Sequence, residues 1–314
     1  MNKSFLVLIA LAFLAACSAP AAVPATQTSL PTVSVPPFVS SPTATEAARV
    51  TDTPAAGSTA DTRLPPEQWQ AWPVVPQTIS AATIAIYRHG QELGNNPRTF
   101  SKIGDCESIT DYFLVPFDGK PSDYSLGSYA NLQGVIDNFH GSFGRTSLAA
   151  GKGWTAASEL IPPLVPNSKY CRASESPLAC EIRVNRPSFA LIMLGTNDVY
   201  HLDTFEPNMR KILDTLIEAG VVPILATKAD NLEKNNAINA TLARLAYEYD
   251  IPLWNFWLAV QPLPGQGLQP DGSHLSYAQP FFDDPVRMRS AWPWRNLTAL
   301  QALDSVWQGV TAQP

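Results

Sequence analysis

Downstream of residue 66, short apolar segments alternate with segments whose apolar residues recur at helical spacing, and this alternation constrains the fold most. Four apolar segments have the length of buried strands: Thr99–Ile103, Phe189–Leu194, Val221–Ala226 and Ile251–Asn255. Three segments repeat apolar residues every three or four positions, which predicts helices: Pro207–Ala219, Asn235–Tyr249 and Leu297–Val310. Strands that alternate with helices form parallel sheets covered on both faces, so the sequence predicts an α/β fold.

The N-terminal part of the chain has a different composition and is predicted to lie outside this fold. Residues 1–16 have the order and length of a secretory signal peptide, with Lys3 before an apolar run. The run ends in Leu-Ala-Ala-Cys17, which resembles the lipobox of bacterial lipoproteins, where the cysteine is lipidated. Residues 17–66 are rich in Ala, Pro, Ser and Thr, and they bury too little apolar area to offset their ordering entropy. We expect a mobile tether there and a folded domain over 67–314.

Charge and motifs exclude several classes of function. The 314 residues include 21 basic and 27 acidic side chains, so the chain lacks the clustered positive charge that nucleic-acid binding needs. No internal segment reaches the roughly 20 apolar residues that span a bilayer. Two acyl chains on Cys17 would anchor the protein stably, so we expect membrane contact only through that lipid, with the domain on the extracytoplasmic side. The segment Gly151-Lys-Gly153-Trp-Thr-Ala156 fits a relaxed GxGxxA pattern, but no strand is predicted before it, so it does not indicate a dinucleotide site.

Side chains with catalytic chemistry follow three of the predicted strands. Gly-Asp-Cys106 comes after the first strand, Gly-Thr-Asn197-Asp after the second, and Asp271-Gly-Ser-His274 after the fourth. Functional loops of parallel sheets lie beyond the carboxyl ends of the strands, so we expect these residues to meet. A carboxylate three residues before a histidine can accept a hydrogen bond from Nδ1 and leave Nε2 free to take a proton from a nucleophile. Asn197 can donate its amide to a developing oxyanion.

In this order the three motifs resemble blocks I, III and V of the SGNH hydrolases, also called GDSL esterases. The resemblance covers about residues 95–310. It implies a flavodoxin-like three-layer α/β/α sandwich with a central parallel sheet, and ester hydrolysis without a metal or cofactor. It also implies an oxyanion hole formed by the backbone N–H of the nucleophile, the Asn197 side chain and the N–H of a block II glycine. Gly144 is the best placed glycine for block II, with Gly127 and Gly141 as weaker alternatives.

Position 106 departs from the family pattern, which has serine there. In the first interpretation Cys106 is the nucleophile, because a thiol is more nucleophilic than a hydroxyl and ionises more easily, particularly at a helix N-terminus. In the second, the register shifts and Ser108 serves instead. In the third, the site is inactive and the domain is a glycan-binding or scaffold module. The neighbouring Asp105 and Glu107 oppose thiolate formation, so the sequence leaves the direction of the Cys106 pKa shift open.

The four cysteines divide into predicted roles. Cys17 is expected to carry lipid. Cys171 and Cys180 bracket a short polar loop and are expected to form a disulfide in an oxidising compartment, which leaves Cys106 as an unpaired, reactive thiol. A buried inert Cys106, or a bond from Cys106 to Cys171 or Cys180, are the alternatives.

The substrate is predicted only as a class. Six large aromatic residues flank the last motif in sequence: Trp254, Trp257, Phe281, Phe282, Trp292 and Trp294. They can stack on sugar rings or belong to the core, and the core is favoured because large aromatics mostly bury. The sequence therefore predicts a tethered esterase that acts on a small-molecule or polysaccharide ester through Cys106, His274 and Asp271.

Overall fold

The computed structural model describes residues 63–164 and 169–312. The predicted signal peptide, Cys17 and nearly all of the predicted tether lie outside these residues. Contacts with the domain begin at Arg63, before the predicted domain start at 67, because its guanidinium donates a hydrogen bond of 2.7 Å to the Asp250 carboxylate. None of the helices in the described ranges is both long enough and apolar enough to cross a membrane.

The centre of the fold is a parallel sheet in the order β1-β2-β3-β4. Its strands are β1 Asn96–Gly104, β2 Pro187–Met193, β3 Val222–Ala226 and β4 Leu253–Trp254. A fifth, very short segment lies outside β1, where Ala150 forms a parallel bridge with Gly104. Counted along the chain, this segment is second, so the spatial order is 2-1-3-4-5, which is the flavodoxin-like order. The four predicted strands are confirmed, and the segment at Ala150 was not predicted.

The α-helices of the described residues are α1 Ala81–Glu92, α2 Cys106–Ile109, α3 Gln133–Asn138, α4 Pro177–Asn185, α5 Leu202–Glu218, α6 Ala237–Glu248, α7 Phe256–Val260 and α8 Ala291–Thr311. Short 3₁₀ turns lie at Pro66–Ala71, Val115–Asp118, Pro121–Asp123, Gly127–Leu132, Ser158–Leu160, Pro162–Leu164, Asn197–Tyr200, Pro264–Gly267 and Arg287–Arg289. The three predicted helices correspond to α5, α6 and α8. Two of them begin earlier than predicted, since α5 continues through Pro207 and α8 starts at Ala291.

Helices cover the sheet in two groups. The first group is α1 and α3, both of which contact α8, and the second is α4 and α6, both of which contact α5. Phe139, the residue directly after α3, illustrates the packing of the first group, because its ring contacts Phe100 of β1, Phe189 of β2 and Trp307 of α8 at centroid distances of 5.8, 5.5 and 5.8 Å. Two helical layers around a parallel sheet confirm the predicted three-layer α/β/α architecture.

A buried carboxylate fixes the segment that runs beside β1 toward Ala150. Glu181 of α4 is fully buried, and its carboxylate accepts hydrogen bonds from the Ser101 hydroxyl, the Arg145 guanidinium and the Leu148 N–H at 2.5, 2.6 and 2.8 Å. A buried charge is tolerated only when it is paired and hydrogen-bonded, as here. The contacts set the position of the short outer segment relative to the end of β1.

The predicted disulfide is confirmed: Cys171 and Cys180 are bonded, with their Cα atoms 5.4 Å apart. Cys106 is the free cysteine of the described residues. The bond joins the loop before α4 to a fully buried residue of α4. It therefore anchors that loop on the helix that also carries Glu181.

We expect replacement of both bonded cysteines, Cys171→Ala with Cys180→Ala, to lower the free energy of unfolding by about 2–3 kcal/mol, because the bond closes a loop of about ten residues in the unfolded chain. Urea titration followed by circular dichroism measures this. Dithiothreitol should bring the parent to the stability of the double variant and leave the double variant unchanged. Equal stability of the oxidised parent and the double variant would contradict the expectation.

Candidate active site

The chain leaves β1 at Gly104 and turns at once into α2, which places Cys106 at the carboxyl edge of the sheet. Asp105 caps this turn, since its carboxylate accepts a 3.0 Å hydrogen bond from the Glu107 N–H. Only glycine fits at position 104, because a Cβ there would lie 2.2 Å from the Ser108 hydroxyl and 2.6 Å from a β2 carbonyl. Cys106 is half-buried at the start of the helix.

Ser108 lies on the inner side of the same turn. Its side chain packs against Gly104 and only 1% of the residue is exposed. This burial favours the more exposed Cys106 over Ser108 as the candidate nucleophile.

Asn197 lies in the loop that follows β2 and reaches the Cys106 turn. Its Nδ2 donates to the Trp154 carbonyl at 2.9 Å and lies 3.5 Å from the Asp105 carboxylate. The next residue, Asp198, is buried and accepts a 3.0 Å hydrogen bond from the Ala156 N–H. The loop after β2 is thus joined both to the Cys106 turn and to the segment around Trp154.

A second buried network holds the Asn197 loop from the side of β3. Lys228 is only 2% exposed, and its ammonium donates to the carboxylates of Asp230 and Glu233, both at 2.7 Å. Asp230 in turn accepts a 2.7 Å hydrogen bond from the hydroxyl of Thr196, the residue before Asn197. Residues that position Asn197 therefore come from the loop after β3, where the sequence motifs gave no signal.

Gly144, the glycine predicted for block II, has its N–H already engaged. It donates a 2.6 Å hydrogen bond to Asp118, and the carbonyl before it accepts a hydrogen bond from the Lys102 ammonium of β1. The N–H of Gly141 is engaged by the same Asp118 carboxylate, at 2.7 Å. A third candidate, Gly127, packs against Asp283.

The segment that does reach the Cys106 turn is the GxGxxA-like motif. Gly151 donates to the Gly104 carbonyl at 3.1 Å, directly after the short outer strand at Ala150. Gly153, at φ +75°, has open space where a Cβ would project, and its N–H donates no hydrogen bond within the described ranges. The motif was visible in the sequence, but the strand before it is too short to predict from its apolar pattern.

The Asp271–His274 pair has the predicted internal geometry. The Asp271 carboxylate lies 2.7 Å from His274 Nδ1 and accepts the N–H groups of Ser273 and His274 at 3.0 Å each. The His274 side chain is 61% exposed and Asp271 is 49% exposed, so the pair stands at the surface. With Nδ1 engaged, Nε2 is the ring nitrogen left for proton transfer.

A contact between main chain and side chain joins this pair to the Cys106 helix. The N–H of Leu275, which follows His274, donates to Glu107, which follows Cys106, at 3.4 Å. The other oxygen of Glu107 accepts from the guanidinium of Arg295 in α8. Arg295 is fully buried, and its guanidinium lies 4.5 Å from the ring centroid of Phe113. The Glu107–Arg295 pair was not predicted; its only sequence signal is an arginine within the apolar pattern of α8.

The charges around Cys106 keep it in the thiol form. Burial raises the pKa of Cys106 above its usual 9.0, and the neighbouring carboxylates of Asp105 and Glu107 raise it further. Burial also raises the pKa of Glu107 to about 7, although Arg295 opposes this. The hydrogen bond that the Asp271 carboxylate accepts from the ring raises the pKa of His274 above 6.5. Since little thiolate exists at neutral pH, Cys106 needs a base to react.

Most of the aromatic residues flanking the last motif belong to the core, as favoured above. Trp254, Phe282 and Trp292 are buried, and Trp257 packs edge-on against Trp69 at 4.9 Å. The segments that carry a thiol, an Asp–His pair and an asparagine amide are thus joined by contacts of neighbouring residues at the carboxyl edge of the parallel sheet. This combination is that of a hydrolase with a nucleophile, a base and an oxyanion donor.

Comparison with known proteins supports the hydrolase class. The chain is 32% identical over 113 residues to two curated proteins named "Thioesterase 1/protease 1/lysophospholipase L1", from Escherichia coli strain K12 and a second Escherichia coli strain. The match covers 33% of this chain and 53% of each relative, so the chain spans about half the length of the curated relatives it matches. No family model matches the chain.

We expect the stability of the protein to fall as the pH rises from about 5.5 to about 8. Four carboxyl groups near the site have raised pKa values: the buried Asp105, Glu159 and Asp198, and the partly exposed Glu107. The folded state holds their protons more tightly than the unfolded chain does. Their contribution is therefore complete below the unfolded pKa near 4 and is lost as the pH passes the folded values, about 6 for Asp198 and about 7 for Glu107.

Urea titrations at both pH values should show a decrease in the free energy of unfolding on the order of 2 kcal/mol. The variant Asp198→Asn should show a smaller decrease, because its amide oxygen still accepts the Ala156 N–H but does not titrate. A stability that rises over this interval would contradict the assignment of these groups.

We expect Arg295→Met to lower the free energy of unfolding by about 3–5 kcal/mol, because it leaves the Glu107 carboxylate buried without its cation. The double variant Glu107→Gln with Arg295→Met should recover part of that loss, since neither partner then carries a charge. Chemical denaturation of the parent, both single variants and the double variant measures the coupling. Additive losses would show that the two side chains do not act as a pair.

Proposed function

We propose that the protein is an acyl hydrolase that cleaves carboxylic esters, with Cys106 as nucleophile, His274 as general base and Asp271 as the acid that orients it. The observation that carries the proposal is the Leu275–Glu107 contact, which joins the loop of the Asp–His pair to the first turn of the Cys106 helix. The curated relatives support it at a coarser level, because their names describe a thioesterase and a lysophospholipase.

In the first half-reaction, the Cys106 sulfur attacks the acyl carbon of the ester while its proton passes to His274 Nε2. Asp271 stabilises the imidazolium through the 2.7 Å contact with Nδ1. The tetrahedral intermediate places a negative charge on the former carbonyl oxygen. When the intermediate collapses, the bond to the alcohol oxygen breaks, His274 returns the proton to that oxygen, and an acyl thioester remains on Cys106.

In the second half-reaction, water replaces the alcohol. His274 takes a proton from the water as the water oxygen attacks the thioester carbon. The carbon–sulfur bond then breaks, the carboxylic acid leaves, and the proton returns to the sulfur. The raised pKa of Cys106 is compatible with this sequence, because the thiol gives up its proton only as the carbon–sulfur bond forms.

Three groups are proposed to donate to the oxyanion: the backbone N–H of Cys106, the side chain of Asn197 and the N–H of Gly153. Asn197 Nδ2 is already directed at the Cys106 turn through its contact with Asp105. Gly153 takes the role first assigned to Gly144, because it lies in the segment that follows the bridge to β1 and its N–H is unengaged among the described residues. Donors aimed at the position of a developing charge contribute a large part of the rate enhancement in acyl transfer.

The proposal includes the location of the protein. Residues 1–16 direct export, Cys17 carries the lipid anchor, and the residues between Cys17 and Arg63 form a tether to the extracytoplasmic membrane surface. The disulfide between Cys171 and Cys180 supports this location, since such bonds persist in oxidising compartments.

We expect Cys106→Ala to abolish hydrolysis of p-nitrophenyl acetate, Cys106→Ser to retain part of it, and His274→Ala to lower the turnover number by about 10²–10⁴-fold, the usual contribution of a general base. The absorbance of released p-nitrophenol measures turnover. Intact-mass spectrometry detects the one acetyl group expected on Cys106. The matched control is His89→Ala, an exposed histidine of α1 that should not change turnover.

Unchanged turnover in His274→Ala would rule out this mechanism. Parent protein with no esterase activity and no acetylated Cys106, but with affinity for polysaccharide, would favour the non-catalytic glycan-binding module instead.

A further inference from the structure

We propose that a groove beside Cys106 and His274 binds a sugar ring, so that the alcohol part of the ester is a carbohydrate; this deepens, and rests on, the proposed esterase function. The groove has a volume of about 330 Å³ and runs between the loop that follows α2 and the loop that follows His274. Its walls include Asp111 and Tyr112 from the first loop and Tyr277 and Gln279 from the second.

Two tyrosines form an exposed aromatic surface at this groove. Tyr112 is 48% exposed and Tyr277 is 52% exposed, and their ring centroids lie 4.4 Å apart with a tilt of 49°. The pair is fixed from beneath, because the Tyr112 ring meets the buried Trp292 ring at 5.9 Å and the Tyr112 carbonyl accepts a 2.9 Å hydrogen bond from Asn296. Large aromatic side chains that are held rigidly yet left in contact with solvent are typical of binding surfaces.

The polar residues of the groove define the chemistry of the ligand. No lysine or arginine lines it, so a phosphate or carboxylate group has no cation to pair with. The two tyrosine rings contact each other, which leaves no cage between them for an alkylammonium group. Carboxylate and amide groups, from Asp111 and Gln279, interrupt the apolar wall that a fatty acyl chain needs.

A sugar ring satisfies all of these conditions. Its C–H face carries weak positive charge and can lie on the negative face of a tyrosine ring, while its hydroxyls donate to acceptors at the rim. Asp111 is exposed and lines the groove, so its carboxylate can accept hydrogen bonds from a ligand. Ser122 and Gln279 add a hydroxyl and an amide to the same wall.

The groove is placed for the leaving alcohol of the reaction. Tyr277 follows His274 by three residues, and Tyr112 lies in the turn after the helix that begins at Cys106. The Leu275–Glu107 contact holds these two loops together. The two loops that form the groove are therefore continuous with the segments that carry the nucleophile and the base, and we assign the groove to the sugar part of the ester.

The test compares two acetate esters in which a six-membered ring carries a CH2–O–acetyl group: methyl 6-O-acetyl-glucoside, and cyclohexylmethyl acetate, whose ring is all carbon and lacks the sugar oxygens. We expect the parent to prefer the sugar ester by about tenfold or more in kcat/KM. Tyr277→Ala and Asp111→Asn should each reduce that ratio by about threefold to tenfold, because each removes one contact to the sugar. Tyr277→Phe, which keeps the ring, should retain most of the preference.

The matched control is Tyr170→Ala, which removes a tyrosine of similar exposure beside the disulfide loop and should leave the ratio unchanged. Equal kcat/KM for the two esters in the parent, with p-nitrophenyl acetate still hydrolysed, would overturn the sugar subsite and leave the esterase intact. A parent that hydrolyses neither ester nor p-nitrophenyl acetate would overturn the proposed function itself. If Tyr277→Ala lowers kcat/KM equally for the sugar ester and the cyclohexylmethyl ester, Tyr277 has only a structural role. That result would overturn its proposed contact with the sugar.

Discussion

The ion pair between Glu107 and Arg295 is the interaction on which the arrangement of the site depends. Arg295 is fully buried in α8, and Glu107 lies in the first turn of α2, so the pair fixes the Cys106 helix to the C-terminal helix. The free oxygen of Glu107 accepts the N–H of Leu275 and so adds the histidine loop to the same point. Three segments far apart in the chain thus meet at one carboxylate. Two nitrogens of Arg295 lack hydrogen-bond partners among the described residues, and the aromatic faces of Phe113 and Trp292 compensate in part.

The carboxylates on either side of Cys106 hold the geometry of the site in place but oppose ionisation of the thiol. Asp105 shapes the turn and contacts Asn197, and Glu107 holds the histidine loop, so both carboxylates contribute to the geometry of the site. The same charges raise the pKa of the thiol. The same charges also help to raise the pKa of His274. The main cause of that increase is the hydrogen bond that Asp271 accepts from the His274 ring. The Cys106 thiol is therefore a weaker acid, and His274 a stronger base, than each is in water. In the proposed mechanism this combination favours proton transfer during attack over a preformed thiolate.

Much of the fold and part of the site could be predicted from the sequence. Strands and long helices have strong periodic patterns, and the pairing of Asp271 with His274 is local, so three residues of spacing are enough to predict it. The sequence prediction put block II at Gly144 and not at the segment after Ala150, where the proposal now puts it. The reason is that a strand with only a single bridge has no apolar pattern of its own. Arg295 could not be found because its partner, Glu107, is 188 residues away and only the tertiary fold brings them together. Motifs identify residues that react, whereas the residues that position them are set by packing.

The described residues hold both a free thiol, Cys106, and a disulfide. In the exported location proposed for this protein, the persistence of the free thiol needs a physical explanation. Thiolates, not thiols, attack disulfides and oxidants, so the rate of such reactions falls as the pKa of a cysteine rises. Cys106 is half-buried with a raised pKa, while Cys171 is bonded to Cys180 of α4, outside the sheet. The carboxylates that disfavour the resting thiolate thus protect Cys106 from exchange with solvent oxidants. In the proposed mechanism this protection does not hinder catalysis, because a substrate carbonyl next to His274 lets sulfur deprotonation and bond formation occur in one step.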